Sequence, residues 1–265
     1  MSVRRAWLDH RVVEITWLGH ATVLIEVDGV RLLTDPVLGD RIGPLGRLGP
    51  LGRIAPPGGI EPPERVDAVL LSHLHDDHTH LASLREIARG VPVIAPRGSG
   101  AWLERKGLED VRELSVGSEL ALGDVRVTAT PATHDRRRWP RGGPEGDPVG
   151  YLVTGSGSAY FAGDTDLFDE MSELRGSVGV ALLPVWGWGP SVGPGHLDPE
   201  RAAKAAAVIA PEVAVPIHFG TFAPRWPGGK LPEPDAPARE FARLLGRDAP
   251  SVEVRLLAPG DRIQV

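Results

Sequence analysis

Residues 71–80 read LSHLHDDHTH: four histidines and two aspartates directly after an apolar run that begins at Val66. The run 66–71 predicts a short buried strand. So polar a cluster cannot continue into a core, so it sits where the strand leaves the sheet. His73 and His75 are two apart and project to the same side of an extended chain. Asp77 and His78 follow as the chain turns toward a helix, whose face carries Leu81, Leu84, Ile87 and Ala88 and whose stop is Gly90. This geometry yields two adjacent metal positions, one rich in histidine and one holding a carboxylate. The alternative is a solvated histidine loop without ligands, and the rest of the chain argues against it.

Three further metal-capable residues close predicted strands. His134 ends VTATPATH, Asp164 follows the apolar stretch in AYFAGDTD, and His218 ends VAVPIHFG. Each lies at the downstream end of its strand, where open α/β sheets place their sites. Alone, each would read as structural; beside the first cluster they read as one site.

Strands are predicted at 12–17, 21–27, 30–34, 91–95, 125–130, 149–154, 159–162, 180–183, 213–217 and 252–257, with Asp28-Gly29 as a hairpin turn. Helices are predicted at 100–106, 167–174, 199–210 and 236–246, the third marked by Asp198 at its N-cap and Pro199 at its first position. Residues 36–63 lose all periodicity and form a long Gly/Pro/Leu/Arg loop. No composition break marks a linker, so residues 1–265 read as a single α/β domain with mixed sheets.

The absence of cysteine excludes disulfides, thiolate metal sites and a cysteine nucleophile. A net charge of −6 argues against nucleic acid or anionic membrane as a partner. No apolar run reaches the roughly 18 residues of a membrane span. The charged N-terminal segment lacks a secretory core, which predicts a cytoplasmic protein.

The HxHxDH run (His73, His75, Asp77, His78), followed by a later histidine, a GD-T segment and a last histidine, resembles the metallo-β-lactamase superfamily. The segments WLGHATVLIEVDGVRLLTDPV (17–37), FAGDTD (161–166), GHLDPERA (195–202) and PIHFGTF (216–222) are similar to its branch containing N-acyl-phosphatidylethanolamine phospholipase D and ascorbate-6-phosphate lactonase. The resemblance implies a four-layer αββα sandwich with metals between the edges of two sheets. It implies His73, His75 and His134 on a first metal, Asp77, His78 and His218 on a second, and Asp164 bridging. Where relatives carry a Gly-Ala-Tyr stretch, this chain has Val185-Trp186-Gly187-Trp188.

Two divalent ions about 3.5–4 Å apart can share a hydroxide nucleophile. A donor set of imidazoles and carboxylates suits Zn2+ and tolerates Mn2+ or Fe2+. The expected activity is therefore hydrolysis of a phosphodiester or a lactone/ester, with Asp77 and His196 catalytic, His196 as proton donor or oxyanion contact. An iron-dependent oxidoreductase on the same fold and a nucleic-acid-processing hydrolase are the alternatives. His20 reads as structural or as a neighbour of the ligands, and His10 and His80 as exposed. The run Arg136, Arg137, Arg138 and Arg141 is either a solvated face or the source of an anion contact, Arg136 foremost. Leu38, Ile42, Leu45, Leu48, Leu51 and Ile54, with Trp186 and Trp188, are expected to form an apolar wall over the metals for a small-molecule or lipid-like substrate. The alternative is that this loop packs on its own chain or in a homo-oligomer interface.

Overall fold

Strand β1 (Val13–Gly19) buries every second residue, the pattern of a strand with one face on a core. A computed structural model describes residues 13–49, 59–138, 143–187, 192–224 and 233–265. β2 (Thr22–Val27) returns antiparallel and turns into β3 (Val30–Thr34) through Asp28 and Gly29, both with positive φ (49° and 76°), as an Asp-Gly hairpin turn requires. Next come two short strands, β4 (Arg41–Ile42) and β5 (Leu45–Arg47), and then β6 (Ala68–Leu70), α1 (Leu81–Ile87), β7 (Val93–Pro96), α2 (Gly100–Arg105) and β8 (Val111–Leu114). β3, β6, β7 and β8 run parallel.

The second half opens as an antiparallel meander, β9 (Glu119–Leu122), β10 (Val125–Pro131), β11 (Val149–Thr154) and β12 (Ser158–Phe161). It continues in parallel through β13 (Val180–Pro184), α3 (Pro199–Ile209) and β14 (Val213–Ile217). β15 (Phe222–Pro224), α4 (Ala236–Asp248), β16 (Glu253–Val254) and β17 (Arg262–Gln264) complete the order. Two seven-stranded sheets result, β17-β1-β2-β3-β6-β7-β8 and β16-β14-β13-β12-β11-β10-β9, with a small third sheet β15-β5-β4.

Alternation along the strands sets the layers. In the first sheet Ala68, Leu70 and Ile94 join Val127, Tyr151 and Val153 of the second sheet in one core. Their neighbours Val69, Leu71, Val93 and Ala95 point the other way, onto Leu84 of α1 and Leu103 of α2. Ala202, Ala206 and Ile209 of α3 and Phe241 of α4 pack on the second sheet. The fold is the expected αββα sandwich. The Tyr151 hydroxyl crosses between the sheets and donates to Leu71 O (2.8 Å). Asp198 caps α3 by accepting from Arg201 N at 2.8 Å, as its sequence predicts. Among the described residues no helix is long and apolar enough to cross a membrane.

Three expectations change. The 36–63 stretch is not irregular throughout: β4 pairs with β5, and β5 with β15, some 175 residues on, a distant pairing that no local period reveals. The helix expected at 167–174 is a 3₁₀ helix, Asp169–Leu174, whose N-cap Phe168 makes no side-chain cap. The strand expected at 252–257 keeps only Glu253–Val254.

Between β12 and Asp164 the chain passes over the first sheet at Gly163. Its φ is +60°, and a Cβ there would lie 2.5 Å from Ser72 Cβ. Gly107 has φ +93° with open space around it. Gly163→Ala is therefore expected to cost about 2 kcal/mol or more, against about 1 kcal/mol for Gly107→Ala. Urea midpoints of the two variants check this, and equal losses would refute the close approach.

Candidate metal centre

The histidine run leaves β6 as a tight turn closed on itself. Thr79 N donates to His75 O (2.8 Å), and Thr79 Oγ1 to His73 O (2.6 Å). Asp35, directly after β3, anchors the turn: it accepts from Ser72 N (2.8 Å), Ser72 Oγ (2.5 Å) and His78 Nδ1 (2.7 Å). Arg138 holds the other side, donating to Leu74 O (2.6 Å) and Thr79 O (3.1 Å), pairing with Asp76, and lying 5.0 Å over the Trp102 ring.

These contacts fix which nitrogen of each ring carries hydrogen. A backbone carbonyl only accepts, so His134 Nδ1 donates to Gly195 O (2.6 Å) and His218 Nδ1 to Trp186 O (2.5 Å). Ser72 Oγ spends its hydrogen on Asp35, so His73 Nδ1 donates to Ser72 Oγ (2.9 Å). Four imidazoles, His73, His78, His134 and His218, are thus held by Nδ1 and turn Nε2 toward a common space. This is the arrangement by which proteins orient histidine ligands.

Nε2 of His134 lies 3.0 Å from His75 Nδ1, and Nε2 of His78 lies 3.1 Å from His218 Nε2. Asp164 faces both sets, with Oδ2 3.3 Å from His78 Nε2, Oδ1 3.4 Å from His218 Nε2 and Oδ2 3.6 Å from His196 Nε2. Asp77 Oδ2 sits 3.2 Å from both His78 Nε2 and His20 Nε2. Donor atoms of His73, His75 and His134 fall within 4.8 Å of one another, as do those of His20, Asp77, His78 and His218. Among the described residues, His73 Nε2 is buried without a hydrogen-bond partner, and Asp164 Oδ1 has only the long His218 contact. The donor set therefore fits divalent cations, which would satisfy these buried atoms.

Electrostatics agree. Burial pushes His20 down to about 3 and His134 down to about 4, and it lowers His73 and His75. Burial also works against charge on His78 and His218, but Asp164 and Asp77 outweigh it and raise both. The carboxyls of Asp77 and Asp164 are disfavoured by burial, yet His78 and His218 hold them well below the usual carboxylate range. A cation bound by these rings would compete with protons for the same Nε2 positions.

Backbone strain collects here too. Among the described residues, non-glycine positive φ occurs at His20 (54°), Asp35 (34°) and His218 (61°), elsewhere only at the Asp28 turn and the Ala210 cap. His20 is a neighbour of the ligands: His218 N donates to His20 O (2.9 Å), and the two rings lie 3.9 Å apart.

Other expected residues divide. His196 comes to the site, half-buried, its ring edge-on to His134 at 4.7 Å. His80 is not exposed; it is half-buried and caps α1 through Ser83. Trp186 gives the site only its backbone carbonyl, and the residue lines a separate cavity with Pro199 and Leu244 on the α3–α4 side. In the described part of the 36–63 loop Leu38 and Ile42 are buried and Leu45 and Leu48 half-buried, so these side chains turn inward. Arg136 and Arg137 pair with Asp147 and Glu145. His10, Leu51, Ile54, Arg141 and Trp188 lie outside the described residues. Ser72 escaped the sequence reading, and Arg138 was expected as a solvated or anion-binding residue rather than as a support of the turn; the position of Asp35 at the end of β3 was the one signal that it lies beside the ligands.

Residues 30–219 match the model of the β-lactamase superfamily domain. A UPF0173 metal-dependent hydrolase of Methanopyrus kandleri is 34% identical, over 94% of this chain and 98% of that protein. Among solved structures, Igni18, a metallo hydrolase of Ignicoccus hospitalis, superposes with TM-score 0.69 at 26% identity, covering 96% of this chain and 98% of the other. CmlA, a diiron β-hydroxylase of Streptomyces venezuelae, shares the fold (TM-score 0.68, 22% identity), and the match covers 96% of this chain and 53% of CmlA.

Asp35→Asn keeps the shape of the anchor and removes its charge. Zinc affinity should fall about 10–100-fold, measured by competition with a chromogenic chelator. An unchanged affinity would mean that packing alone orients His78.

Proposed function

The chain belongs to the metallo-β-lactamase superfamily, and from that premise we propose that it is a metal-dependent hydrolase with two divalent ions per chain. The observation that carries this reading is the set of Nε2 atoms turned on two carboxylates, with His73 Nε2 and Asp164 Oδ1 left as buried atoms without hydrogen bonds. His73, His75 and His134 would hold one ion, Asp77, His78 and His218 the other, and Asp164 both. Zn2+ is the first choice, and Mn2+ or Fe2+ suit the same donors. Bound there, such ions acidify a water molecule and polarise a phosphoryl or carbonyl oxygen.

The side chains supply the remainder. Asp77, held at Oδ2 by His20, takes the proton of the attacking water. His196, with Nδ1 on Pro194 O at 3.2 Å, keeps Nε2 for the leaving oxygen. The substrate class follows the branch that the sequence resembles: a phosphodiester or a lactone/ester.

Metal analysis should find two ions per chain, and bis(4-nitrophenyl) phosphate or simple lactones should be turned over only by the loaded protein. His75→Ala and Asp77→Ala should abolish turnover with far-UV circular dichroism unchanged, since both residues sit on a loop outside the core. His196→Ala should lose about 10²–10⁴-fold in kcat. Wild-type turnover in Asp77→Ala, or a metal-bound structure with Asp164 remote from every ion, would overturn the reading. Stoichiometric iron with a redox-active spectrum would point to an oxidoreductase instead.

A further inference from the structure

A cleft of about 620 Å³ opens beside His134, and the hydrolase reading makes no use of it. Its rim carries Arg97 and Arg136, which grip one carboxylate from two sides. Arg97 Nη2 lies 2.6 Å from Asp147 Oδ2, and Arg136 Nη2 lies 2.6 Å from Asp147 Oδ1. The backbone fixes this bridge, because Asp147 N donates to Arg97 O (2.9 Å) and Arg97 N to Leu114 O (3.1 Å). Two guanidiniums on one carboxylate leave an excess positive charge at this spot, in a chain whose net charge is −6. Asp147 is the one side-chain acceptor Arg136 finds among the described residues, so the rest of its N–H fork is available to a ligand.

The same cleft has an apolar floor. Val116, one of the two large hydrophobic residues exposed among those described, lines it together with Pro131. Positive rim and apolar floor meet within one cavity that ends on a histidine of the site. An apolar contact for a substrate is therefore available here.

We propose that this cleft is a substrate-recognition subsite for an amphiphilic anion, with Arg97 and Arg136 binding an anionic group and Val116 and Pro131 an adjoining hydrocarbon segment. The inference rests on the hydrolase reading for its role in turnover, because the scissile bond would then lie past His134. It narrows the substrate to esters, lactones or phosphodiesters that carry a second, non-reacting negative charge beside an apolar chain. Arg97 and Arg136 are specificity residues in this scheme and take no part in bond making.

Binding can be tested without turnover, by calorimetric titration of the zinc-loaded full chain with 1-octanesulfonate and with 1-octanol. The sulfonate is a poor metal ligand, so its affinity reports the guanidiniums. The wild type should bind the sulfonate at least tenfold more tightly than the alcohol. Arg97→Gln with Arg136→Gln should erase that preference, Arg136→Lys should keep most of it, and Val116→Asp should weaken both ligands. Equal affinities in the wild type, or a preference that survives the double substitution, would overturn the subsite. A sulfonate preference without any hydrolysis would remove the hydrolase reading and leave the binding site standing. Turnover of neutral esters without a sulfonate preference would do the reverse.

Discussion

Buried and half-buried carboxylates govern this structure. Asp35 and Asp164 are buried and Asp77 half-buried at the meeting of the two sheets, where ionised groups are costly unless each is matched by hydrogen bonds or opposite charge. Imidazoles supply the match, and they must arrive from several strand ends with the correct nitrogen forward. That demand accounts for local departures from easy geometry. His20, Asp35 and His218 adopt left-handed backbone, and Gly163 passes against Ser72 where no side chain fits. Such strain persists only where surrounding structure over-determines it. Here the two seven-stranded sheets and their shared core do so.

The turn that carries the first ligands is stiffened from two directions. Asp35 draws Ser72 and His78 toward the first sheet, and Arg138 grips Leu74 and Thr79 from the opposite side while covering Trp102 of α2. Burial pushes the Arg138 guanidinium down to about 10. It stays charged at neutral pH, so the clamp is permanent. Within one arginine run the neighbours thus have separate duties: Arg138 faces inward as a support, and Arg136 faces the cleft.

The residues of the cluster were legible in the sequence because histidine and aspartate are uncommon at the ends of apolar strands, and their order along the chain is specific. What orients them was not legible. Ser72 and Asp35 act through single hydrogen bonds that any loop could contain, and Trp186 acts through a carbonyl that every residue has. Most strands of the two large sheets could be read from alternating and apolar runs such as 13–19 and 213–217. β4, β5, β8, β9, β15 and β17 could not: two to four residues carry little period, and β5 with β15 and β1 with β17 pair across most of the chain. Leu38, Ile42 and Trp186 show a related limit, since composition reports apolarity and not the direction in which it points.

The position of β17 bears on how the chain is made. β17 lies beside β1, with Val13 N donating to Val265 O at 2.8 Å, so among the described residues the first strand is flanked on one side by the last. On the ribosome β1, β2 and β3 can pair as soon as they emerge, yet the rim of β1 that β17 covers stays open until residues 262–264 have left the ribosome. An unpaired rim with alternating apolar residues is a template for pairing with other chains. Nascent copies on one message would be most vulnerable to such pairing before this last strand docks.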